Sequence, residues 1–198
     1  MATSPQENPG WKFWLSWVLA SMAGVMVYIL TFHIVLPILG TVVLRVASSW
    51  MMWLALAVFV PQVIGLGAAI GVAQWLVLRK YLTRTRNWTL ATLVGHSLSF
   101  VVPQTFHVWE EGVAPFLFSG VALGLLQWLV LRGQVANGMW WIAITLAAWI
   151  LAYAASRFAY VTGLYFGLFQ LVTVVLVSAT VGGVGIIWLL RRSTLAYI

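Results

Sequence analysis

The chain has no cysteine and no aspartate, and its only acids are Glu7, Glu110 and Glu111. Without cysteine there are no disulfides, no thiolate metal sites and no cysteine nucleophiles. Without an acid inside any apolar run, the groups on which proton pumps and intramembrane proteases usually depend are missing too. An enzyme is therefore not expected. Charge of either sign is scarce, at 7% of residues against roughly 25% in a soluble domain. A surface so poor in charge cannot face water on every side.

Apolar residues are plentiful. Of 198 residues 63% are hydrophobic, and the mean hydropathy is +1.03. Several apolar runs reach the roughly 20 residues that cross a bilayer as a helix. In hydrocarbon the backbone must satisfy its own polar groups, which leaves a helix bundle or a closed barrel. Barrel strands alternate apolar and polar residues. Here "WLALAVFV" and "LVTVVLVSA" are continuously apolar. The expected fold is all-α, a polytopic membrane helix bundle.

Six spans are expected, over 12–38, 50–79, 88–107, 113–132, 139–157 and 160–190. Residues 1–11 read as a short disordered tail without signal-peptide features. Residues 12–198 read as a single transmembrane domain. The first, second and last spans exceed what a bilayer needs, with Pro37 and Pro61 as candidate break points. Gly182, Gly183 and Gly185 in the last span keep a seven-segment alternative open.

The net charge of +7 suggests nucleic acid at first sight, but its placement suits a membrane better. Lys12, Arg79, Lys80, Arg84, Arg86, Arg132, Arg191 and Arg192 fall on one side of a six-span chain, and only Arg45 and Arg157 on the other. The positive-inside rule then puts both termini in the cytoplasm of a bacterial inner membrane, with no role for nucleic acid. The basic loop Arg79–Arg86 is a candidate contact for anionic lipid.

One nonapeptide occurs almost unchanged twice: "GVAQWLVLR" over Gly71–Arg79 and "GLLQWLVLR" over Gly124–Arg132. A shift of 53 residues also superposes Gly67 on Gly120, Trp88 on Trp141 and Thr92 on Thr145. Weaker copies stand at each end. "WVLASMAG" (17–24) resembles "WTLATLVG" (88–95), and "ATVGGVGIIWLLR" (179–191) echoes the returning block without its glutamine. The expected unit is a helical hairpin, used three times over 12–79, 88–132 and 139–192. Gly163, Gly167 and Gln170 fit the same spacing, so the third copy has two candidate registers.

Positions i, i+4 and i+7 share one helical face, which makes Gly67, Gly71 and Gln74 one stripe and Gly120, Gly124 and Gln127 another. Glycines admit close backbone approach in a membrane, and a glutamine there hydrogen-bonds to the facing helix. The repeated block reads first as a packing and anchoring device. It resembles a group of uncharacterised bacterial multi-span membrane proteins that repeat a Gly-x3-Gly-x2-Gln-Trp-Leu-Val-Leu-Arg hairpin. That resemblance implies the fold and no activity.

Other polar residues carry alternatives. His96, with Ser97 and Ser99 beside it, is a candidate axial ligand for haem or a chlorophyll-type pigment. The simpler reading is a histidine hydrogen-bonded to a neighbouring helix's glutamine or carbonyl, which is also the reading for His33. His107, Glu110 and Glu111 form a weak metal-ligand candidate. The simpler reading there is an ion-pair belt with Arg45 and Arg157. Arg157 is also a candidate anion contact. No cofactor is therefore expected.

The expected function is a non-enzymatic structural or accessory membrane subunit, working through helix packing and lipid contact. Its partners are the bilayer and another membrane protein or further copies of itself. The alternatives are a small-solute binding or transport protein, with Gln74, Gln127, His96 and Gln170 as its polar lining, and a pigment carrier through His96.

Overall fold

The computed structural model describes residues 9–35, 37, 51–105, 112–163 and 167–195. They form six α-helices, with no strand among the described residues: α1 (Trp11–Ile29), α2 (Met51–Leu78), α3 (Trp88–Thr105), α4 (Ala114–Leu131), α5 (Trp140–Val161) and α6 (Gly167–Leu195). A π-helical turn over Leu30–Val35 continues α1. Four stretches, Trp11–Phe32, Ala114–Leu131, Trp140–Val161 and Leu168–Ser193, are long and apolar enough to cross a membrane. Ile64–Leu78 and Trp88–Val102 are shorter apolar stretches of α2 and α3. This is an all-helical membrane protein.

Three expectations about helix ends need correction. α2 runs through Pro61 without a break; membrane helices tolerate proline where neighbouring groups satisfy the freed carbonyl. α6 runs unbroken through Gly182, Gly183 and Gly185, so the break required by seven segments does not occur there. Bulky side chains fill the spaces that Gly183 and Gly185 leave. A Cβ on Gly183 would lie 3.0 Å from both Trp14 and Trp17, and one on Gly185 would run into Ile144. Finally, α5 extends to Val161, four residues past its expected end, and turns at Gly163 with φ of +74°. Glycine takes that left-handed conformation without a Cβ penalty, which is why it so often follows a helix C-cap. Gly133 does the same after α4, with φ of +76°.

Each helix packs on the next in chain order, and α6 packs back on α1, closing a ring of six. Large apolar side chains such as Leu19, Leu90, Leu151 and Val184 project outward from it. In water such a surface would be a liability; in a bilayer it is the solvent-facing side. Along the inside of the ring, Phe13, Trp17, Leu78, Trp88, Leu131, Trp141, Ile186 and Leu189 pack into one cluster at the end that carries the basic loops. Trp88 lies at its centre, its ring 5.8 Å from that of Trp17 and 5.9 Å from that of Trp141.

The same end is tied by polar contacts between loops. The carboxamide of Gln134 accepts from the Arg84 backbone N–H at 2.8 Å and donates to the Arg84 carbonyl at 3.0 Å. The Ala136 N–H donates to Ser193 Oγ at 2.7 Å, and Arg191 Nε donates to the Pro9 carbonyl at 3.0 Å. The first and last helices also meet through Trp14 Nε1, which donates to the Thr180 carbonyl at 3.1 Å.

Candidate functional site: a polar ladder around a small cavity

The interior of the ring is crossed by a set of side-chain hydrogen bonds that use the glutamines. Gln74 Nε2 on α2 donates to Ser21 Oγ on α1 at 3.0 Å, while Gln74 Oε1 accepts from Trp88 Nε1 on α3 at 3.1 Å. Gln127 Nε2 on α4 donates to Thr92 Oγ1 on α3 at 3.0 Å, while Gln127 Oε1 accepts from Trp141 Nε1 on α5 at 3.0 Å. Each glutamine therefore ties the helix before it to the helix after it. Both are buried, and so are all four of their partners. A carboxamide suits this position because one planar group offers a donor and an acceptor on opposite arms.

The glycines ahead of each glutamine allow the approach. A Cβ on Gly67 would lie 2.8 Å from Leu93 Cα, and one on Gly120 would lie 2.8 Å from Leu146 Cα. One on Gly71 would lie 3.1 Å from Thr89 Cα, and one on Gly124 would lie 3.0 Å from Ile142 Cα. The neighbour in each case is backbone and cannot swing away. The outgoing helix α1 uses the same device: a Cβ on Gly24 would lie 2.8 Å from Ile70 Cα.

Alignment of Ala179 and Gly183 with these glycine pairs places Ile186 in register with Gln74 and Gln127. Ile186 is fully buried and has no polar atom. The two groups that a third glutamine would join are accordingly different. Trp17 Nε1 is buried and has no hydrogen-bond partner among the described residues. Thr145 Oγ1 donates to the Trp141 carbonyl at 2.7 Å, as Ser21 Oγ donates to the Trp17 carbonyl at 2.9 Å. Ser21 also accepts from Gln74, whereas Thr145 has no such donor among the described residues.

A cavity of about 60 Å³ lies next to this gap. Its wall includes Trp17, Gln74, Thr92, His96, Gln127, Trp141, Thr145, Trp149, Ser178 and Gly182. Where Ile70 and Leu123 reach in from α2 and α4, α6 presents Gly182, and the missing side chain leaves room. A Cβ there would lie 3.6 Å from Trp141 Cη2 and 3.8 Å from Trp17 Nε1, at ordinary contact distance.

No protein-family model, curated protein or solved structure matches this chain. The site is therefore read from its own geometry.

The structure brings Gln74, Gln127 and His96 to one cavity and leaves two other candidates away from it. Gln170 is half-buried near the start of α6 and does not line the cavity. Arg157 is exposed near the end of α5, its guanidinium over the Tyr160 ring at 5.4 Å from the centroid. The register through Gly163, Gly167 and Gln170 fails as a single stripe, because Gly163 lies in the turn between α5 and α6. His96 also departs from the simpler expectation. Its ring packs 6.1 Å from that of Trp149, and no hydrogen bond joins it to another described residue. Of the serines beside it, Ser99 Oγ donates to the Gly95 carbonyl and Ser97 Oγ has no partner among the described residues.

Arg45, His107, Glu110 and Glu111 lie outside the described residues, and so does the expected ion-pair belt. His33 belongs to the π-helical turn, and its side chain lies outside the description. Among the described residues no three histidine or acidic side chains gather as a metal site.

Three site features escaped sequence reasoning: the serine and threonine four residues after each outgoing tryptophan, the orphaned Trp17, and Gly182. The first had a visible signal, since Ser21, Thr92 and Thr145 each follow a tryptophan by four positions.

Proposed function

We propose that this protein is a non-enzymatic structural or accessory subunit of a bacterial inner membrane, built as three helical hairpins around a pseudo-threefold axis. In this reading all six helices cross the bilayer and both termini are cytoplasmic, as the distribution of lysine and arginine favours. The chain is then a relative of the small bacterial proteins that share its repeated hairpin. The observation that carries the reading is the state of the two glutamines. Both arms of each amide are taken up by neighbouring helices, so the repeated motif is spent on architecture.

Lipid contact belongs to the same reading. A groove of about 530 Å³ between α3 and α4 is lined by Leu90, Val94, Leu126 and Leu129, with Arg84 and Arg132 also in its wall. Gln134 holds the Arg84 loop against the Arg132 loop. Two guanidinium groups beside an apolar trough suit an anionic phospholipid, phosphate against arginine and acyl chain along leucine. Further copies of the chain, or another membrane protein, would use the apolar outer face.

A second reading, a small-solute binding protein, rests on the cavity and its Trp17 N–H, which has no partner among the described residues. A pigment carrier has less support, since about 60 Å³ beside His96 is too small to take in a porphyrin.

The double substitution Gln74→Leu with Gln127→Leu separates the two main readings. Folding and assembly would be followed by size-exclusion chromatography and thermal unfolding, and bound small molecules by native mass spectrometry. Joint loss of folding and assembly supports architecture. An intact fold that has lost a bound mass supports solute binding and would overturn the architectural reading.

A further inference from the structure

We propose that the cavity beside Gly182 is a binding site for one small neutral solute of the primary carboxamide or urea class, which occupies the place of the missing third glutamine. The inference rests on the small-solute reading above and gives its ligand a chemistry.

The two complete bonding sets define what the third lacks. Each places a carboxamide between an indole N–H that donates to its oxygen and a hydroxyl that accepts from its nitrogen. At the third position the indole is that of Trp17 and the hydroxyl is that of Thr145, and Ile186 can serve neither. Both residues line the cavity. An indole N–H buried in a membrane protein without a partner is costly, and a bound molecule with an acceptor relieves that cost. The open side of Thr145 Oγ1 asks the same molecule for a donor. A free carboxamide supplies both, as the glutamine side chains do elsewhere in the ring.

Size narrows the class further. A cavity of about 60 Å³ limits the solute to about three or four heavy atoms. Formamide, acetamide and urea meet that limit. An anion is disfavoured, because the wall holds no lysine or arginine. Water is the competing source of the same hydrogen bonds, and the experiment must tell the two apart.

The test uses the full chain in detergent, labelled with ¹⁵N-tryptophan, and follows the indole N–H resonances during an acetamide titration. The Trp17 signal is assigned by its absence in Trp17→Phe. We expect it to shift saturably and further than the signals of Trp88 and Trp141, whose N–H groups stay bonded to Gln74 and Gln127. Ile186→Gln supplies the missing amide within the chain and should abolish the saturable shift. Gly182→Val fills the cavity by a different route and should do the same, which keeps the test valid if either variant fails to fold.

Dimethyl sulfoxide, an acceptor of similar size without an N–H, should bind about five- to tenfold more weakly through loss of one hydrogen bond. Equal or stronger binding of dimethyl sulfoxide would overturn the amide assignment and leave the small-solute reading standing. A Trp17 signal that responds to neither solute and contacts only water would overturn both. Saturation that persists in both Ile186→Gln and Gly182→Val would place the binding elsewhere and overturn the site.

Discussion

Trp88 donates its indole N–H to Gln74 Oε1 at 3.1 Å across the α2–α3 seam. Fifty-three residues later Trp141 makes the same bond to Gln127 at 3.0 Å, and Trp17, the third tryptophan of the cluster, makes none among the described residues. The closed ring thus holds two complete ties and one open position. Most of the testable consequences follow from that asymmetry.

The tryptophans should respond unequally to loss of their indole nitrogen. Trp88→Phe and Trp141→Phe each remove a buried interhelical bond and leave a glutamine oxygen unsatisfied. Trp17→Phe removes no bond. All three lose similar ring volume, so the first two should cost about 1 kcal/mol more than the third. Reversible unfolding in mixed detergent measures the difference, and equal costs for all three would show that the bonds contribute nothing.

Loss of a glutamine should cost more than a surface change and less than loss of a helix seam. Gln74→Leu or Gln127→Leu frees one indole and one hydroxyl at once. We expect a destabilisation of about 1–2 kcal/mol for each substitution, the upper part of the range for interhelical bonds in membranes. Because α3 takes part in both ties, the double variant should lose more than the sum of the two. Simple additivity in a double-mutant cycle would argue against a connected ladder.

Glycine positions divide sharply by what a methyl group would meet. Gly67→Ala and Gly120→Ala put a Cβ 2.8 Å from a backbone Cα, so helices must separate, at a cost of about 1–3 kcal/mol by the measure of overpacked cores. Gly182→Ala puts its Cβ at 3.6 Å and 3.8 Å from its nearest neighbours, an ordinary contact. It should leave stability unchanged or raise it. Thermal midpoints of the three variants check the ordering, and a damaging Gly182→Ala would refute the cavity beside it.

The loop staple should be visible in exchange rates. Gln134→Ala removes the acceptor of the Arg84 amide at an exposed site, so global stability should fall by less than about 1 kcal/mol. Hydrogen exchange at Arg84 should quicken well before that of the helices. Co-purified anionic phospholipid should decrease in Gln134→Ala and further in Arg84→Gln with Arg132→Gln. Retention of the same lipid in the double arginine variant would remove the groove as its site.

The purified protein should be colourless. An absorption band in the visible range that disappears in His96→Ala would revive the pigment reading, because an imidazole nitrogen is the chain's candidate axial ligand.

Composition settles the solvent of this protein. With 7% charged residues and apolar runs the length of a bilayer, the backbone must close its hydrogen bonds within helices. That inference needs only one-dimensional information. The 3.6-residue period likewise puts Gly67, Gly71 and Gln74 on one face. Helix ends were less legible, because proline and glycine mark a break only where nothing nearby fills the gap. α2 passes Pro61 and α6 passes three glycines, of which Gly183 and Gly185 are packed against Trp14, Trp17 and Ile144 from distant parts of the chain.

The partners of the polar groups belong wholly to the tertiary structure. Gln74 is 53 residues from Ser21 and 14 from Trp88, distances along the chain that no local pattern relates. The sequence shows Ile186 where a glutamine is lost, but it does not show which groups that loss leaves without a bond. Only closure of α6 on α1 turns that residue into an unpaired Trp17 and a cavity beside Gly182. Solvent and helix faces follow from local composition and periodicity, whereas the site depends on which helices become neighbours, and packing alone decides that.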